Sequence, residues 1–211
     1  MKREQELREI LIHNTVRLVA EGGFEKATTK AITFDGETLP DMRMNEVYIY
    51  RIFGNKEHLY EAAFECLAEE FAEDLQRCVE YYRDASGCVR ERLYEVFLRV
   101  WRFAINNETQ CRFYIRYYYS ICFKGQSLAG HNQRFSKIVN CFRPLFKDEA
   151  DVVAIMHSVL TLLLDFANRV YNGDLADDDI NRPHIYNVLY CAMESYFAEE
   201  VRKSANLRRF V

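Results

Sequence analysis

The residues that end helices are few in this chain, and they lie far apart. The 211 residues include eight glycines and three prolines, and neither type occurs between Gly54 and Gly87 or between Gly87 and Gly125. A sheet protein of this length needs many turn residues, whereas long uninterrupted stretches suit helices. The sequence therefore predicts an all-α fold.

The composition is that of a folded globular protein. Apolar residues make up 49% of the chain and aromatic residues 14%, which exceeds what a disordered chain contains. The N-terminal residues are charged and no run of about 18 apolar residues occurs, so we expect a cytoplasmic protein without a signal peptide or membrane span. The seven cysteines include no Cys-x-x-Cys pair, and we interpret most of them as small buried side chains.

Apolar residues at a spacing of three to four predict about nine helices. Three short helices precede a long fourth one, and Asn45 is a good N-cap for the third. Val47, Ile49 and Phe53 are expected to lie in the core. The first four helices are predicted at about Glu4–Glu21, from Thr28 or Thr29, at Glu46–Phe53 and from Lys56; the later ones at about Val89–Asn106, Glu108–Phe123, Leu128–Phe142, Asp148–Tyr171 and from Pro183.

The eighth of these helices is apolar on most of its faces, as the stretch VVAIMHSVLTLLLDFANRVY shows. A helix that is apolar all round must be covered on all sides. We therefore expect a homodimer in which the eighth and ninth helices of two copies pack together. The alternative is a monomeric bundle with this helix at its centre.

Two N-terminal stretches carry a resemblance to a known family. In LIHNTVRLVAEGGFEKATTKAIT an apolar helix ends in Glu-x-Gly-Phe and a threonine segment leads into a second helix. In YRIFGNKEHLY a tyrosine and a phenylalanine precede Lys56 and Glu57. Both stretches resemble the tetracycline-repressor (TetR) family of bacterial transcription regulators, in the family's order and spacing.

The resemblance implies a helix-turn-helix DNA-binding domain over residues 1–57 and a helical ligand-binding and dimerisation domain over residues 58–211. It implies a cytoplasmic, ligand-responsive regulator, expected to be a repressor, that binds a palindromic operator as a homodimer. Tyr48 and Arg51 on the outer face of the third helix would read base edges. The candidate DNA-binding residues are Thr28, Lys30, Arg43, Asn45, Tyr48, Tyr50, Arg51 and Lys56.

The region between the second and third helices departs from the family's pattern. The stretch FDGETLPDMRM makes the turn about six residues longer than the family's, and it adds acidic side chains. Residues 1–57 contain nine Lys and Arg against ten Asp and Glu, a balance of −1, which opposes binding to phosphates. Two readings follow: a longer turn around an intact DNA-reading helix, or a TetR-fold ligand-sensing or protein-interaction module that no longer binds DNA specifically.

An aromatic cluster in the later helices suits a small-molecule effector that is itself apolar or aromatic. Two polar residues of the eighth helix, His157 and Asp165, need partners if they are buried, and a ligand or a neighbouring tyrosine would serve. The candidate ligand-binding residues are Trp101, Phe103, Tyr114, Tyr117, Tyr118, Phe123, His157 and Asp165.

The sequence contains none of the short motifs that signal an enzyme. It has no His-Glu-x-x-His, Gly-x-Ser-x-Gly, phosphate-binding loop or Gly-x-Gly-x-x-Gly. It also lacks the Glu-x-x-His pairs of helical carboxylate metal sites. We therefore expect a protein that is not an enzyme and that uses neither a metal nor a cofactor.

Overall fold

A computed structural model describes residues 2–34, 44–84, 86–123 and 125–206. Across these ranges the only β pairing is an isolated antiparallel bridge between Phe146 and Phe197, so the predicted all-α fold is confirmed. The helices are α1 (Lys2–Lys26), α2 (Thr29–Ile32), α3 (Val47–Phe53), α4 (Lys56–Asp84), α5 (Val89–Asn106), α6 (Glu108–Tyr118), α7 (Gly125–Phe142), α8 (Val152–Tyr171), α9 (Asn181–Glu194) and α10 (Glu199–Asn206), with a 3-10 turn at Arg143–Leu145.

Local sequence signals account for most of the observed helix ends. The backbone leaves the helical conformation at Gly23, whose φ of 76° favours glycine. Thr28 precedes α2, and its hydroxyl accepts a hydrogen bond from the Ala31 amide at 3.1 Å. At the start of α4 the Asn55 side chain accepts the His58 amide at 2.8 Å. These residues are the expected terminators and N-caps.

Several predicted helix bounds differ from the structure, and hydrogen bonds of local side chains explain two of the differences. α6 ends at Tyr118 instead of Phe123, because Ser120 bonds locally: its hydroxyl donates to the Tyr117 carbonyl and accepts from the Cys122 amide. Such local bonds offer the backbone an alternative to the helix. α8 begins at Val152 instead of Asp148, since Asp151 caps it by accepting the Ala154 amide at 3.0 Å. α10 was not predicted as a separate helix.

The chain packs into two compact units. The first consists of Met1–Glu70 with Thr109–His131, and the second of Phe71–Glu108 with Asn132–Val211. Each unit has its own apolar core. The largest fully buried side chains of the first unit are Phe64, Phe113, Tyr117, Leu11, Ile32, Ile49, Leu59 and Val19, and those of the second are Trp101, Tyr190, Phe197 and Val152. The expected domain boundary between residues 57 and 58 stays a prediction.

α8 combines length with apolar composition. By these two properties it is a candidate membrane span. An 18-residue stretch of the helix has a mean hydropathy of 1.4, and 28% of that stretch is buried within the chain. The sequence prediction of no span rested on the lack of an uninterrupted apolar run, and α8 carries Asp165 and Arg169 near its C-terminal end. A single helix of this kind is weak evidence for a membrane protein, because helices in the core of a soluble protein have the same composition.

The cysteines differ from the expected buried positions. Cys111 is buried, Cys66 and Cys191 are exposed, and the other four are half-buried. The expectation that most of the cysteines are buried was therefore wrong, because one of the seven is buried. In the part of the chain that the structure describes, no group of three or more His, Cys, Asp or Glu side chains is placed to hold a metal ion.

Candidate nucleic-acid interface

Buried polar contacts fix α2 against its neighbours in the first unit. The Asn14 amide of α1 donates to the Ile32 carbonyl at the end of α2, at 2.9 Å. The Tyr60 hydroxyl of α4 donates to the Ala27 carbonyl just before α2, at 3.0 Å. Burial, aided by Cys122, raises the pKa of Tyr60 to about 12, so the phenol stays protonated at neutral pH. Both ends of α2 are thereby held.

The two ends of the long turn meet. The Met44 amide donates to the Thr33 carbonyl at 3.2 Å, and the Met44 side chain is buried. The hydroxyl of Thr29 in α2 donates to the carboxylate of Glu46, directly before α3. Residues 35–43, which include Arg43, lie outside the described residues. α2 and α3 are therefore joined by contacts at the two ends of the lengthened turn.

The buried face of α3 is set by Ile49 and Phe53. Ile49 is fully buried, and the guanidinium of Arg8 lies 5.0 Å from the centre of the Phe53 ring. Val47 was predicted to join them, but 61% of its surface is exposed. The reason is helical geometry, since two residues turn the helix by about 200° and place Val47 opposite Ile49. The prediction that Val47 belongs to the core was wrong.

The opposite face of α3 projects into solvent. Tyr50 is 55% exposed, and Arg51 is exposed as well. The Arg51 guanidinium lies over the ring of the half-buried Tyr48, 4.8 Å from its centre. A cation–π contact at an exposed site is worth about 0.5–1 kcal/mol. Tyr48 thus lies beneath Arg51 and restricts its orientation, whereas the sequence placed both side chains fully outward.

The remaining candidate residues surround α3. The Asn45 side chain accepts the Val47 amide at 3.0 Å. Because α3 begins one residue later than predicted, its N-cap is Glu46, which makes no side-chain capping bond, and the prediction of Asn45 as the N-cap was wrong. Gly54 ends α3 with a φ of 81°, and Lys56 follows at the start of α4, its ammonium 5.4 Å from the centre of the Tyr60 ring. Thr28 and Lys30 are exposed at α2.

The aromatic residues of α6 form a packed cluster in the first unit. Phe64 of α4 stacks on Tyr117 and Tyr114, with ring centres 4.5 and 5.4 Å apart. Phe123 lies 4.5 Å from Tyr118. The Tyr114 hydroxyl shares a buried hydrogen bond with Nε2 of His131, and burial raises the pKa of Tyr114 well above its usual value. The structure thus brings together Tyr114, Tyr117, Tyr118 and Phe123.

Sequence reasoning missed Phe64 and His131 as members of this cluster. Phe64 lies in the long fourth helix, and the three-to-four spacing of apolar residues that predicts this helix does not indicate which side chains Phe64 contacts. His131 lies at the end of a polar stretch whose composition gives no sign of burial. A single histidine among polar neighbours does not by itself indicate a buried position, so the sequence contains no usable signal for His131.

The other four predicted ligand-binding residues belong to the second unit. Trp101 is buried and donates from Nε1 to the Asp177 carboxylate at 2.8 Å. Phe103 packs edge-on against Phe71. Burial lowers the pKa of the half-buried His157.

Asp165 is exposed and pairs with Arg169 at 2.9 Å. The carboxylate is not buried, so the condition under which it would need a ligand or a tyrosine as partner is not met, and its role in ligand binding stays a prediction.

The arrangement of helices matches solved structures. A TetR-family transcription regulator from Marinobacter aquaeolei VT8 superimposes with a TM-score of 0.69 at 16% identity, over 90% of this chain and 97% of that one. SmeT, the repressor of the Stenotrophomonas maltophilia multidrug efflux pump SmeDEF, gives 0.58 at 15% identity, over 92% of both chains. The fatty acid degradation regulator FadR from Bacillus halodurans gives 0.57 at 15% identity, over 86% of this chain and 96% of that one.

The chain has the TetR fold. No protein-family model matches it, and no curated protein matches it in sequence. The TetR resemblance seen in the two N-terminal stretches is therefore confirmed by structure, at identities that show the fold alone. The assignment of α1 to α3 as a helix-turn-helix stays a prediction from the sequence.

A pH-dependent contact lies in the second unit of this TetR fold. Hydrogen bonds from Arg182, at 2.7 Å, and from Trp101 hold the pKa of the Asp177 carboxyl below its usual value. A carboxyl whose pKa is lowered in the folded state adds stability above its unfolded pKa of about 3.9, and this stability is lost as the pH falls through the folded pKa. We expect the Asp177→Asn protein to be less stable than wild type at pH 7 and to approach it below about pH 4. Urea unfolding at both pH values measures the difference, and an equal deficit at both would contradict the assignment.

Proposed function

We propose that this protein is a DNA-binding transcriptional regulator that acts as a homodimer and responds to a small molecule. The observation that carries the proposal is the outer face of α3. It presents Tyr50 and Arg51 to solvent on a helix whose other face is locked into the core by Ile49 and Phe53. In a helix-turn-helix such a face enters the major groove.

The charged groups next to this face suit phosphate binding. Lys56 stands in the first turn of α4, where the backbone amides of a 29-residue helix favour an anion. Its ammonium lies against the Tyr60 ring, which keeps it close to that helix end. The exposed Tyr50 hydroxyl, Thr28 and Lys30 supply further donors. In DNA complexes, phosphate contacts of this kind position a protein, while base contacts specify the sequence.

The contacts at the two ends of the lengthened turn support DNA binding over the alternative, a sensor that does not bind DNA. The Met44–Thr33 backbone bond and the Thr29–Glu46 contact hold α2 and α3 together at the two ends of the lengthened turn. We infer that the insertion leaves α3 able to reach the groove.

A second candidate function is a TetR-fold sensor that does not bind DNA. The observation in its favour is Glu46, an exposed carboxylate held at the start of α3 by Thr29. It places negative charge where a phosphate would approach, and the balance of residues 1–57 is −1. The counterion-release term that drives most protein–DNA binding would then be weak.

Selection from a pool of random duplexes, followed by affinity measurements on the enriched sequence, separates the two functions. A regulator enriches a palindromic sequence and binds it at least about a thousandfold more tightly than scrambled DNA. Its affinity falls linearly with salt on a log–log plot, by a slope near −0.9 per phosphate contact. Absence of enrichment, with the protein folded by circular dichroism, would overturn the proposal and leave the sensor.

For the homodimer, we propose an interface formed by α8 and α9. Apolar side chains of both helices lie exposed in the second unit, among them Val153 on α8 and Val188 on α9. Only 28% of the 18-residue apolar stretch of α8 is buried within the chain. A second copy of the same two helices would cover this surface by two-fold symmetry, which accounts for the apolar composition of α8 without a membrane.

Replacing Val188 with glutamate is expected to dissociate this dimer. Val188 is 46% exposed in the single chain, and a carboxylate buried there without a partner costs about 3–5 kcal/mol. We expect the dimer dissociation constant to rise by at least about a hundredfold, measured by sedimentation equilibrium. The control is Ile121→Glu, which changes a 97% exposed apolar residue in the first unit and should leave the dimer intact. A dimer that survives Val188→Glu would contradict this interface.

For the effector, we propose the aromatic cluster of the first unit. Tyr118 and Phe123 are half-buried at its edge, and the Tyr114–His131 hydrogen bond lies beside them. Rings with one polar pair suit an apolar or aromatic molecule that carries a hydrogen-bonding group. Such a molecule regulates only if it binds one conformation of the dimer more tightly than the other.

A further inference from the structure

The reading face of α3 contains an apolar side chain that packing does not explain. Val47 is 61% exposed and lies opposite the buried Ile49. Single exposed apolar residues are common and need no function in themselves. Val47 differs from such residues in its place, because it precedes Arg51 by one helical turn on the face that we propose enters the major groove.

The two side chains have complementary chemistry for base edges. The thymine methyl is the one apolar group in the major groove, while guanine offers two acceptors to an arginine fork. If the isopropyl group of Val47 packed against the edge of another base, it would remove water from polar groups of that base without replacing the lost hydrogen bonds. Val47 therefore favours thymine by contact and disfavours the other bases by desolvation.

The local structure fixes the spacing of the two contacts. Residues four apart on a helix have Cβ atoms about 5–6 Å apart, which is less than two base-pair steps of about 3.4 Å. The Asn45 side chain holds the Val47 amide at 3.0 Å, and the Tyr48 ring lies under the Arg51 guanidinium. The backbone of Val47 is thus held by a hydrogen bond, and the side chain of Arg51 is held by its contact with the Tyr48 ring.

We propose that Val47 reads the 5-methyl group of a thymine, with Arg51 on a guanine within about two base pairs of it. The proposal rests on the proposed DNA-binding function and adds the base at one position of each half-site. Because Val47 is short, its contact requires the first turn of α3 to approach the floor of the groove closely.

The test removes the methyl group from each side of the contact in turn. Wild-type protein first selects its sequence from random duplexes, and the thymine of each half-site is then replaced by uracil, which lacks only the 5-methyl. Wild type should lose about fourfold in affinity per half-site, the effect of burying one methyl group. Val47→Ala should bind the thymine and uracil duplexes equally. Alanine raises helix propensity at this exposed site, so the variant should fold.

A matched control and two separate failures make the outcome decisive. Ile121→Ala shortens another exposed apolar residue of the first unit and should keep the wild-type preference for thymine. If wild type selects no sequence, the DNA-binding function fails and this proposal with it. If wild type selects a sequence but ignores the uracil substitution, or if Val47→Ala still distinguishes uracil from thymine, the readout by Val47 is overturned while the function stands.

Discussion

Changing Arg51 to alanine is expected to eliminate sequence-specific DNA binding while leaving the fold intact. The guanidinium is exposed on the outer face of α3 and is oriented by the Tyr48 ring. A bidentate contact from arginine to guanine is worth about 1–3 kcal/mol per site. Because the proposed homodimer would lose two such contacts, the affinity for the selected duplex should fall by roughly 30-fold to 10⁴-fold.

The loss should be confined to specific binding. Fluorescence anisotropy with the selected and a scrambled duplex, at one salt concentration, measures both affinities. Arg51→Ala should bind the two duplexes about equally, with the scrambled affinity close to wild type. The matched control is Arg77→Ala, which removes an arginine of the second unit whose side chain is 70% exposed. A variant that keeps its preference for the selected duplex would contradict the role of Arg51.

Truncating Trp101 to alanine is expected to cause the largest loss of stability among single substitutions in the second unit. Trp101 is 2% exposed and stacks with Phe97 at 5.9 Å. Removing a buried tryptophan costs about 3–5 kcal/mol through lost contacts and the cavity left behind. For a chain of this length each kcal/mol lowers the melting temperature by about 2–4 °C, so the midpoint should fall by about 6–20 °C.

A second variant separates packing from hydrogen bonding. Trp101→Phe keeps most of the buried ring but removes the donor to Asp177, so we expect a loss of about 1–3 kcal/mol. The exposed Tyr119→Ala serves as the control and should change the free energy of unfolding by less than about 0.5 kcal/mol. Urea unfolding measures all three. Equal losses for Trp101→Ala and Trp101→Phe would contradict the view that packing dominates.

Features of the fold that depend on local interactions could be predicted from the sequence. Gly23, Thr28, Asn55 and Gly54 end or begin helices through their own backbone freedom or side-chain hydrogen bonds, so composition and spacing identify them. The start of α4 and both ends of α5 were predicted for this reason. The two N-terminal stretches added the TetR resemblance, which the structure confirms as a fold.

Features that depend on contacts between distant residues could not be predicted. The Met44–Thr33 bond joins backbone atoms, so no side chain signals that the long turn closes. The partner of Tyr114 is His131, seventeen residues away in a polar stretch. Asp165 was expected to need a partner if it is buried in its apolar helix, but it lies on the exposed side and pairs with Arg169. Periodicity indicates which residues share a face but not which face is covered.

Val47 shows the limit of residue type as a guide to burial. This apolar, β-branched residue directly before Tyr48 was assigned to the core, although Ile49 and Phe53 already define the buried face. Only one face of a short surface helix is covered, and the helical angle then excludes Val47. The same exposure makes it a candidate for base contact.

We propose that α3 enters the major groove of duplex DNA in a two-fold arrangement. Methylation protection at guanine N7 on the selected duplex tests this directly, because N7 lies in the major groove where Arg51 would bind. We expect two protected guanines, related by symmetry and separated by about 10–10.5 base pairs or a multiple of that distance. Arg51→Ala should lose both protections. Tight, sequence-specific binding that leaves every guanine N7 open to methylation would show that α3 does not bind in the major groove.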